Sequence, residues 1–506
     1  MTPPMSARVL FQRDFLASVV VFLVALPLCM GIAIASGVGP AAGLVTGIVG
    51  GLVVGVLQGS PLQVSGPAAG LAVIVWELVQ KHGIAALGVI VAGAGVIQIV
   101  AGAFRGGRWF RAVPPSVIHG MLGGIGVLIF GGQFHVMIDD KPKGGGLRNL
   151  LSIPDALVKS VTPNADLPHE EAAMIGLLTI GAILAWNKWA PTRLKFVPAP
   201  LVGIVVGTGA AQLLALPIAY VQVSGDLLGS LRWPNTAAVS RLLEPSILGA
   251  SLAMAVVASA ETLLCATAVD RMHDGPRTNF NRELWAQGIG NLLCGLVGAL
   301  PMTGVIVRSG ANVQAGAVSR RSAILHGAWL FLVVALIPSV LRFVPVSSLA
   351  ALLVFTGYKL VNPATIRELR RYGQAEVGIY ALTLTAIVAT DLLTGVLLGF
   401  GLSAARLLWQ LSRLEIAIED DATLRRTTLR LIGSATFLRQ ADLSDALERI
   451  PIDRDLHVRF EEMDYLDHAT LELLENFKKQ RVTRGGSLTV DWDDLYRRFH
   501  LGRGGA

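Results

Sequence analysis

The sequence is poor in charged residues and in cysteine. Asp, Glu, Lys and Arg make up 15% of its 506 residues, whereas about 25% is usual in a soluble globular protein. This deficit excludes an ordinary cytosolic enzyme, a disordered chain and a nucleic-acid binder. Cys29, Cys265 and Cys294 lie inside apolar runs, without the spacing of a Cys-x-x-Cys or Cys/His site. The sequence therefore predicts neither a disulfide nor a structural metal site.

The motifs of enzyme chemistry are missing as well. The sequence has no phosphate-binding P-loop and no nucleophile paired with a base at a usable spacing. We therefore expect that the protein is not an enzyme and needs no cofactor. The net charge of +7 would suggest a polyanionic partner for a soluble protein. In this chain we attribute it to cytoplasmic loops and expect no nucleic-acid partner.

Long apolar runs dominate the first 410 residues. Hydrophobic residues make up 53% of the chain, and the mean hydropathy is +0.60. Since a membrane-spanning helix needs about 20 mainly apolar residues, we predict an all-α polytopic membrane protein of fourteen segments. Two of these, 65–80 and 309–319, are too short or too interrupted to span the membrane unaided. The predicted segments are 15–37, 39–59, 65–80, 84–104, 115–137, 171–189, 198–216, 246–268, 282–300, 309–319, 321–341, 346–361, 374–390 and 392–410.

Basic residues in alternate short loops set the expected orientation. The positive-inside rule places residues 1–14 in the cytoplasm, and an even number of segments returns the C-terminus there. Residues 15–412 then form the transmembrane domain. From about Ala417 the composition becomes charged, and alternating strand and helix patterns predict a small cytoplasmic α/β domain over residues 420–500. Its predicted elements are Leu424–Ile432, Asp442–Arg449, Leu456–Phe460, Ala469–Gln480 and Ser487–Val490.

An internal repeat relates the two halves of the transmembrane domain. The interval from the Gly-Leu-Val at Gly51 to the same triplet at Gly295 equals the interval from Ser65-Gly66 to Ser309-Gly310. Each half thus has a glycine-rich span, a short extended stretch and a short helix. With seven spans per half, the two copies must be inserted in opposite directions. The repeats cover about residues 15–216 and 246–410.

Broken helices in matching places predict the binding site. They place two helix N-termini near the bilayer midplane, and each offers unpaired N–H groups with about half a positive charge, so the substrate should be an anion. Ser65 and Ser309 are predicted as N-caps or hydroxyl donors, and Pro67 as a first helical residue. Gly66 and Gly310 would admit the ligand close to the backbone. The alternative, that Ser-Gly pairs only pack helices, is less favoured because the pair recurs.

Two charged residues lie within the apolar zone. Arg308 precedes the second half-helix, where it would attract the anion, neutralise Glu261 or extend to the cytoplasmic side as an anchor. Glu261 has no other acid within eight residues on either side. An intramembrane carboxylate is a functional candidate, here a proton carrier, a cation ligand or a structural partner of Arg308. We assign no role to residues 274–291, which we interpret as a cytoplasmic turn with Asn281 capping the next span.

These residues resemble the SulP family of anion transporters, the bacterial relatives of the animal sulfate, chloride and bicarbonate carriers. The resemblance covers nearly the whole chain. It rests on Gln63-Val-Ser-Gly-Pro, Glu261-Thr-Leu-Leu-Cys, Asp270-Arg-Met with Asn281-Arg-Glu-Leu-Trp-Ala-Gln-Gly-Ile-Gly-Asn, and Gly298-Ala-Leu-Pro-Met-Thr-Gly leading to Arg308-Ser309 and Asn312.

The resemblance implies an architecture and a location. A core domain would carry the broken helices, a gate domain would supply a homodimer contact, and core would move against gate as an elevator in a bacterial inner membrane. Residues 458–470 resemble the strand-to-helix turn of a STAS domain, which would bind a cytoplasmic partner. Relatives in sigma-factor control carry a phosphorylated serine after the aspartate of this turn. Here that position holds His468, so the resemblance does not imply a phospho-switch.

The resemblance also bears on substrate and coupling. The first span and Pro67-Ala68-Ala69 are similar to a bacterial branch that favours bicarbonate, with sulfate and C4-dicarboxylates as rivals. Sodium-coupled members resemble the chain at Glu261, but the places of their hydroxyl ligands hold Cys265 and Ile306 here. Sulfur and hydrocarbon are poor ligands for a hard cation. Coupling through Glu261 and Cys265 to a proton is therefore expected at least as much as to sodium.

Two other functional classes remain open at this stage. An uncoupled anion channel or exchanger would use the same site without accumulating its substrate. A membrane sensor would act through the C-terminal domain, with transport vestigial.

Overall fold

The computed structural model describes residues 7–107, 114–161, 168–191, 194, 197–222, 240–241, 244–421 and 425–490. The chain divides into two compact units, residues 1–400 and 401–506. Residues 1–6 of the predicted N-terminal segment, and residues 422–424 and 491–500 of the predicted C-terminal domain, lie outside the described residues.

The first unit is helical apart from two short strands. Its first half contains α1 Ala7–Ala35, α2 Pro40–Leu57, β1 Ser65–Pro67, α3 Ala69–His82, α4 Ile84–Ala103, α5 Pro115–Met137, α6 Gly146–Leu151, α7 Ile153–Val161, α8 His169–Trp189 and α9 Ala199–Leu213. Its second half contains α10 Pro245–Asp270, α11 Phe280–Leu296, β2 Met302–Gly304, α12 Ile306–Gln314, α13 Arg321–Leu336, α14 Pro338–Leu341, α15 Val346–Leu360, α16 Pro363–Arg370 and α17 Gln374–Ala389. The last helix, α18 Leu392–Leu411, begins in the first unit and ends in the second.

Many helices have the length that a membrane demands. In the described part of the chain, eight helices are long and apolar enough to cross a bilayer. Three further apolar helices, α9, α13 and α17, are shorter. Most helix ends lie within a few residues of the predicted segments, as for α4 and α5. The chain is therefore a multi-pass membrane protein.

Three predicted segments differ from the structure at their ends, and segment 321–341 is divided into α13 and α14. Helix α1 begins eight residues before the predicted segment, at Ala7, and Asp14 in this extension accepts a hydrogen bond from the Val318 N–H at 2.9 Å. Segment 65–80 was wrong at its start, since its first residues form β1. Segment 309–319 was wrong at both ends. Helix α12 ends at Gln314, and Gly316 (φ +87°) takes the left-handed conformation that stops it.

Glycines allow the long helices to approach closely. Helices α4 and α11 pack along their lengths, and a Cβ added at Gly288 would lie 2.6 Å from the backbone nitrogen of Ile99. One added at Gly95 would overlap the backbone nitrogen of Leu292. Small residues give this contact because van der Waals packing, rather than the hydrophobic effect, holds helices together in a membrane.

Strands β1 and β2 form a two-stranded antiparallel ribbon inside the first unit. Gly66 lies opposite Thr303, with Ser65 opposite Gly304 and Pro67 opposite Met302. All residues of both strands are buried. Each strand leads directly into a short helix, β1 into α3 and β2 into α12. The ribbon thereby fixes where both half-helices begin.

The second unit is a small α/β domain. It contains β3 Leu414–Asp421, β4 Arg426–Ala435, α19 Gln440–Glu448, β5 Asp455–Leu466, α20 His468–Thr483 and β6 Ser487–Thr489. The strand order is β3-β4-β5-β6, with β3–β4 antiparallel and the other pairs parallel. Asp467 caps α20 by accepting from the Thr470 N–H at 2.8 Å. The expected strand-to-helix turn is thus present. Strand β3 was missed because it has no complete buried face and ends in three consecutive acidic residues.

The loop after α5 is held by one carboxylate. Asp140 accepts hydrogen bonds from the Lys143 and Lys159 ammonium groups, each at 2.9 Å. Burial tends to raise the pKa of Asp140, but the hydrogen bonds from Lys159 and Lys143 outweigh it and hold the pKa below its usual range. Ionised Asp140 therefore stabilises the folded loop above pH about 4, and this stabilisation is lost as pH falls through the lowered pKa.

We predict that Asp140→Asn destabilises the protein by about 1 kcal/mol at pH 7, because two ion pairs are lost. In detergent, the midpoint of thermal unfolding should fall relative to wild type, and this difference should shrink below pH 4. The control is Asp155→Asn, which removes an exposed carboxylate from α7. A difference that does not begin to shrink as the pH falls below 4 would contradict the assignment.

Candidate functional site

The two half-helices begin beside the β1–β2 ribbon, but not at the predicted serines. The N-caps are Ala68 for α3 and Val305 for α12, and neither has a side-chain cap. The N-cap prediction for Ser65 and Ser309 was therefore wrong, as was Pro67 as a first helical residue, since Pro67 lies in β1. The first N–H groups of each helix have no partner within the helix. The anion-binding potential at these termini thus lies in the backbone.

The hydroxyl groups of the two serines form hydrogen bonds that hold the ribbon in place. Ser65 Oγ accepts from Gln287 Nε2 at 2.5 Å. Ser309 lies inside α12, where its Oγ donates to the Val305 carbonyl at 2.8 Å and accepts from the Val64 N–H at 2.9 Å. Gly310 lies in the second turn of α12, away from the helix start. The sequence match between the two Ser-Gly pairs therefore does not superpose equivalent backbone positions.

Arg308 is completely buried in the core of the first unit. Its side chain is 0% exposed, which rules out an extension to the cytoplasmic surface. Nη2 donates to the Pro67 carbonyl at 3.3 Å, while Nε and Nη1 have no partner. A full positive charge with unused donors therefore sits directly behind β1.

The ribbon separates Arg308 from the Ser65 hydroxyl. A Cβ added at Gly66 would overlap Nη1 of Arg308, so the guanidinium lies on the face to which residue 66 points. Because successive strand residues point to opposite faces, the Ser65 side chain points the other way, towards α11. The structure therefore brings Arg308 to Gly66 and Pro67, but it does not place the two predicted side chains around one point.

The carboxylate of Glu261, which belongs to α10, lies beside the start of α3. A Cβ added at Gly70 would lie 3.0 Å from Oε1 and 3.1 Å from Oε2 of this carboxylate, and 3.0 Å from the Ile125 methyl. Glu261 Oε2 is buried and has no hydrogen-bond partner. No ion pair joins Glu261 to Arg308 among the described residues, so the predicted structural pair is not formed. An unpaired carboxylate thus lies against the positive end of a half-helix.

Cys265 lies one turn after Glu261 and contacts the other half-helix. Its Sγ is 3.6 Å from Ser309 Oγ. Ile306, the first residue of α12, packs in the same apolar cluster as Cys265. Within the described ranges, no group of three His, Cys, Asp or Glu residues could hold a metal ion. Cys265 and Ile306 therefore supply no side-chain oxygen to a cation at Glu261.

The sequence prediction missed a polar face on α11. Glu283, Gln287 and Asn291 are all buried, and Asn291 holds β2 by accepting from the Met302 N–H at 2.7 Å and donating to its carbonyl at 3.1 Å. Asn279, not Asn281, caps this helix. The spacing of four residues between the three polar side chains was the available signal, because it places them on one helix face.

Cavities of unequal size lie on the two sides of the half-helices. One of about 600 Å³ follows the C-terminal turns of α10, next to the start of α5. One of about 50 Å³ lies beside the first two turns of α3, where Ala72, Val73 and Trp76 line it. The lining residues of the larger cavity are Pro115, Ile118, Leu264, Thr267, Asp270, Arg271, His273, Asp274, Arg277 and Phe280. Of these two cavities, the one at the C-terminal end of α10 is the larger.

These features define a class of protein, a polytopic membrane protein whose two broken helices meet around buried charges. The Sulfate permease family matches residues 11–383. The chain belongs to this family and is an anion transporter. The family consists of transporters rather than enzymes, in agreement with the sequence prediction.

Individual relatives support this assignment. The putative sulfate transporter YvdB of Bacillus subtilis is 27% identical over 508 residues, which are 95% of this chain and 91% of YvdB. The transmembrane domain of a cyanobacterial bicarbonate transporter, BicA, matches with a TM-score of 0.66 and 24% identity, over 78% of this chain and 98% of that domain. The inward-facing murine anion transporter Slc26a9 matches with a TM-score of 0.80 and 13% identity, over 100% of this chain and 90% of Slc26a9. The two structures show the fold, and the C-terminal strands fit a STAS domain.

Proposed function

We propose that the chain is a secondary active transporter of bicarbonate, with the coupling cation carried by Glu261. The observation that carries this proposal is the Glu261 carboxylate at the start of α3, where a Cβ on Gly70 would lie 3.0 Å from Oε1. A cation bound there would lie next to the anion and favour its binding. By linkage, the anion would favour the cation equally.

The charges around the ribbon favour a single negative charge on the substrate. Each half-helix contributes about half a positive charge at its N-terminus, and buried Arg308 adds one. Buried Glu283 on α11 subtracts one. With Glu261 neutralised by its cation, about one positive charge remains for the anion. The N–H groups that follow Ala68, Ala69 and Val305 would bind it, with Arg308 behind them.

The surroundings of Glu261 favour a proton as the coupling cation. Sodium requires several oxygen ligands, whereas Cys265 and Ile306 supply none. A proton needs only the carboxylate, and the unpaired Oε2 is free to carry it. Sodium held at Glu261 by backbone carbonyls is the competing possibility.

If the coupling cation is a proton, a second candidate function follows, which is proton-coupled sulfate transport. One proton moved with each bicarbonate transfers the same atoms as CO₂ and water, which cross a bilayer unaided. Coupling to one proton therefore adds little for bicarbonate, whereas it adds driving force for sulfate. The observation that favours this candidate is again that Cys265 and Ile306 supply no side-chain oxygen near Glu261. Proton-coupled transport of a C4-dicarboxylate would follow the same logic.

We propose an elevator mechanism in which two inverted repeats of seven segments form a core and a gate. The antiparallel β1–β2 ribbon, symmetric about the Gly66–Thr303 pair, is what an inverted repeat would give. The larger cavity lies at the end that the basic loops assign to the cytoplasm, which fits an inward-facing state. Both termini would be cytoplasmic in a bacterial inner membrane, the gate would mediate a homodimer, and the STAS-like domain would bind a cytoplasmic partner.

Uptake into proteoliposomes tests the proposal. Labelled bicarbonate is supplied at alkaline pH, with sodium and proton gradients imposed separately and sulfate or fumarate as competitor. Protein-free liposomes measure the CO₂ leak. Gradient-dependent uptake that resists both competitors supports bicarbonate transport and identifies the cation. Proton-driven uptake of labelled sulfate without bicarbonate uptake would support the second candidate, and uptake of either anion without any gradient dependence would indicate an uncoupled exchanger or channel.

A further inference from the structure

Helix α11 carries a buried carboxylate that binds the linker leading into β1 (residues 58–64). Glu283 is 0% exposed. Its Oε2 accepts from the backbone N–H groups of Gly59 at 2.8 Å and Ser60 at 2.9 Å, and its Oε1 accepts from Gln63 Nε2 at 2.9 Å. No ion pair with a lysine or arginine is formed within the described ranges. The linker thus folds around one negative charge.

Gln287 extends this contact to the ribbon itself. Its Nε2 donates to Glu283 Oε1 at 3.0 Å and to Ser65 Oγ at 2.5 Å. The carboxylate can only accept hydrogen bonds, so it fixes which end of the amide faces it. Gln287 Oε1 is left without a partner, which shows that the two donated bonds decide the orientation. Ser65 is thereby tied to α11.

The negative charge of Glu283 is essential to this arrangement. Burying a carboxylate is costly unless donors surround it, and here four N–H groups do so. A glutamine at position 283 has the same size, but it would place its own NH₂ group against some of these N–H donors. Its amide would also hold the Gln287 side chain less firmly than the carboxylate does. The other side of the linker is held at Leu62, whose carbonyl accepts from Asn312 at 2.9 Å. The linker is therefore clamped between α11 and α12.

We propose that Glu283 is a positioning residue for the anion site. It acts through the linker backbone and through Gln287 to hold β1, and hence the start of α3, in the geometry that binds the anion. The inference rests on the proposed function, in which the N-terminus of α3 contacts the substrate.

The test compares two buried carboxylates of similar chemistry. Asp14 is 1% exposed and accepts from the backbone N–H groups of Val318 at 2.9 Å and Ser319 at 3.0 Å, but it does not contact the ribbon linker. Uptake kinetics in proteoliposomes are measured for Glu283→Gln and Asp14→Asn, with the anion that wild type transports. Glu283→Gln should raise KM about tenfold or more, with a smaller change in Vmax per folded protein. Asp14→Asn should leave KM within about twofold, although it loses similar bonds.

A second variant keeps the inference testable if Glu283→Gln does not fold. Gln287→Leu removes only the amide that joins the carboxylate to Ser65, and it should also raise KM. Combining Gln287→Leu with Ser65→Ala should raise KM no further than the larger single effect, because both remove the same contact.

The outcomes separate this inference from the proposed function. If wild type transports neither bicarbonate nor sulfate, the proposed function fails and the inference fails with it. If wild type transports one of them, an equal rise of KM in Asp14→Asn, or an unchanged KM in both α11 variants, overturns the inference alone.

Discussion

Replacing Gly66 by alanine should lower the initial rate of anion uptake about 100-fold or more, the scale expected when binding groups move by about 1 Å. A Cβ at this position would overlap Nη1 of Arg308. The guanidinium is fully buried, and Gly47 Cα lies 3.8 Å from the same Cβ position on that face. Either Arg308 or β1 must therefore shift, and both set the geometry and charge at the half-helices.

The control for Gly66→Ala uses glycines that have free space where a Cβ would be added. At Gly181 in α8 and at Gly209 in α9, an added Cβ would meet nothing within 4 Å, so alanine at either position should leave uptake unchanged. Initial uptake rates are compared at equal amounts of folded protein, judged by size-exclusion chromatography. Near-normal uptake by Gly66→Ala would show that Arg308 does not need its observed position.

The parts of the fold that depend on composition could be predicted from the sequence. Apolar runs gave helix ends within a few residues for α4 and α5, because lipid imposes both their length and their polarity. The abrupt rise in charge after α18 marked the soluble domain. Its strands β4 and β5 were predicted from alternation, whereas β3 was missed because its buried face is incomplete.

The starts of the half-helices could not be predicted in the same way. Equal intervals suggested that Ser309 corresponds to Ser65, yet β1 pairs with Met302–Gly304 and α12 begins at Ile306. The pairing of two distant strands decides where each helix begins, and a local Ser-Gly motif carries no information about it. Arg308 and Ser309 therefore lie inside the nine-residue helix α12 and not in the stretch before it.

The sequence identified the charged residues of the candidate site, but not the contacts that these residues make. Glu261 and Arg308 were recognised because ionised groups are rare in apolar segments. That they do not pair, and that Arg308 faces Gly66, follows from tertiary packing alone. Glu283 and Gln287 were overlooked because they follow a charged turn and appeared to belong to it. Their hydrogen bonds to the linker and to Ser65 connect segments far apart in sequence.

Replacing Glu261 by glutamine should abolish gradient-driven accumulation while leaving anion binding and exchange. Glutamine keeps the size of the side chain but can neither take up a proton nor neutralise sodium. With one-to-one coupling, a tenfold cation gradient supports about tenfold accumulation of the anion, and the variant should lose all of it. The steady-state ratio of labelled anion inside and outside proteoliposomes measures this loss, and counterflow against unlabelled anion measures the retained exchange.

Two comparisons make the role of Glu261 specific. Glu261→Asp retains a carboxylate and should retain part of the accumulation. Glu77→Gln removes a carboxylate on α3 itself, in the half of that helix far from Gly70, and should leave the accumulation ratio unchanged. Because an uncoupled carrier equilibrates its substrate but cannot concentrate it, accumulation and exchange separate coupling from binding. Accumulation by Glu261→Gln equal to that of wild type would exclude this carboxylate as the coupling residue and leave the half-helices and Arg308 as the anion site alone.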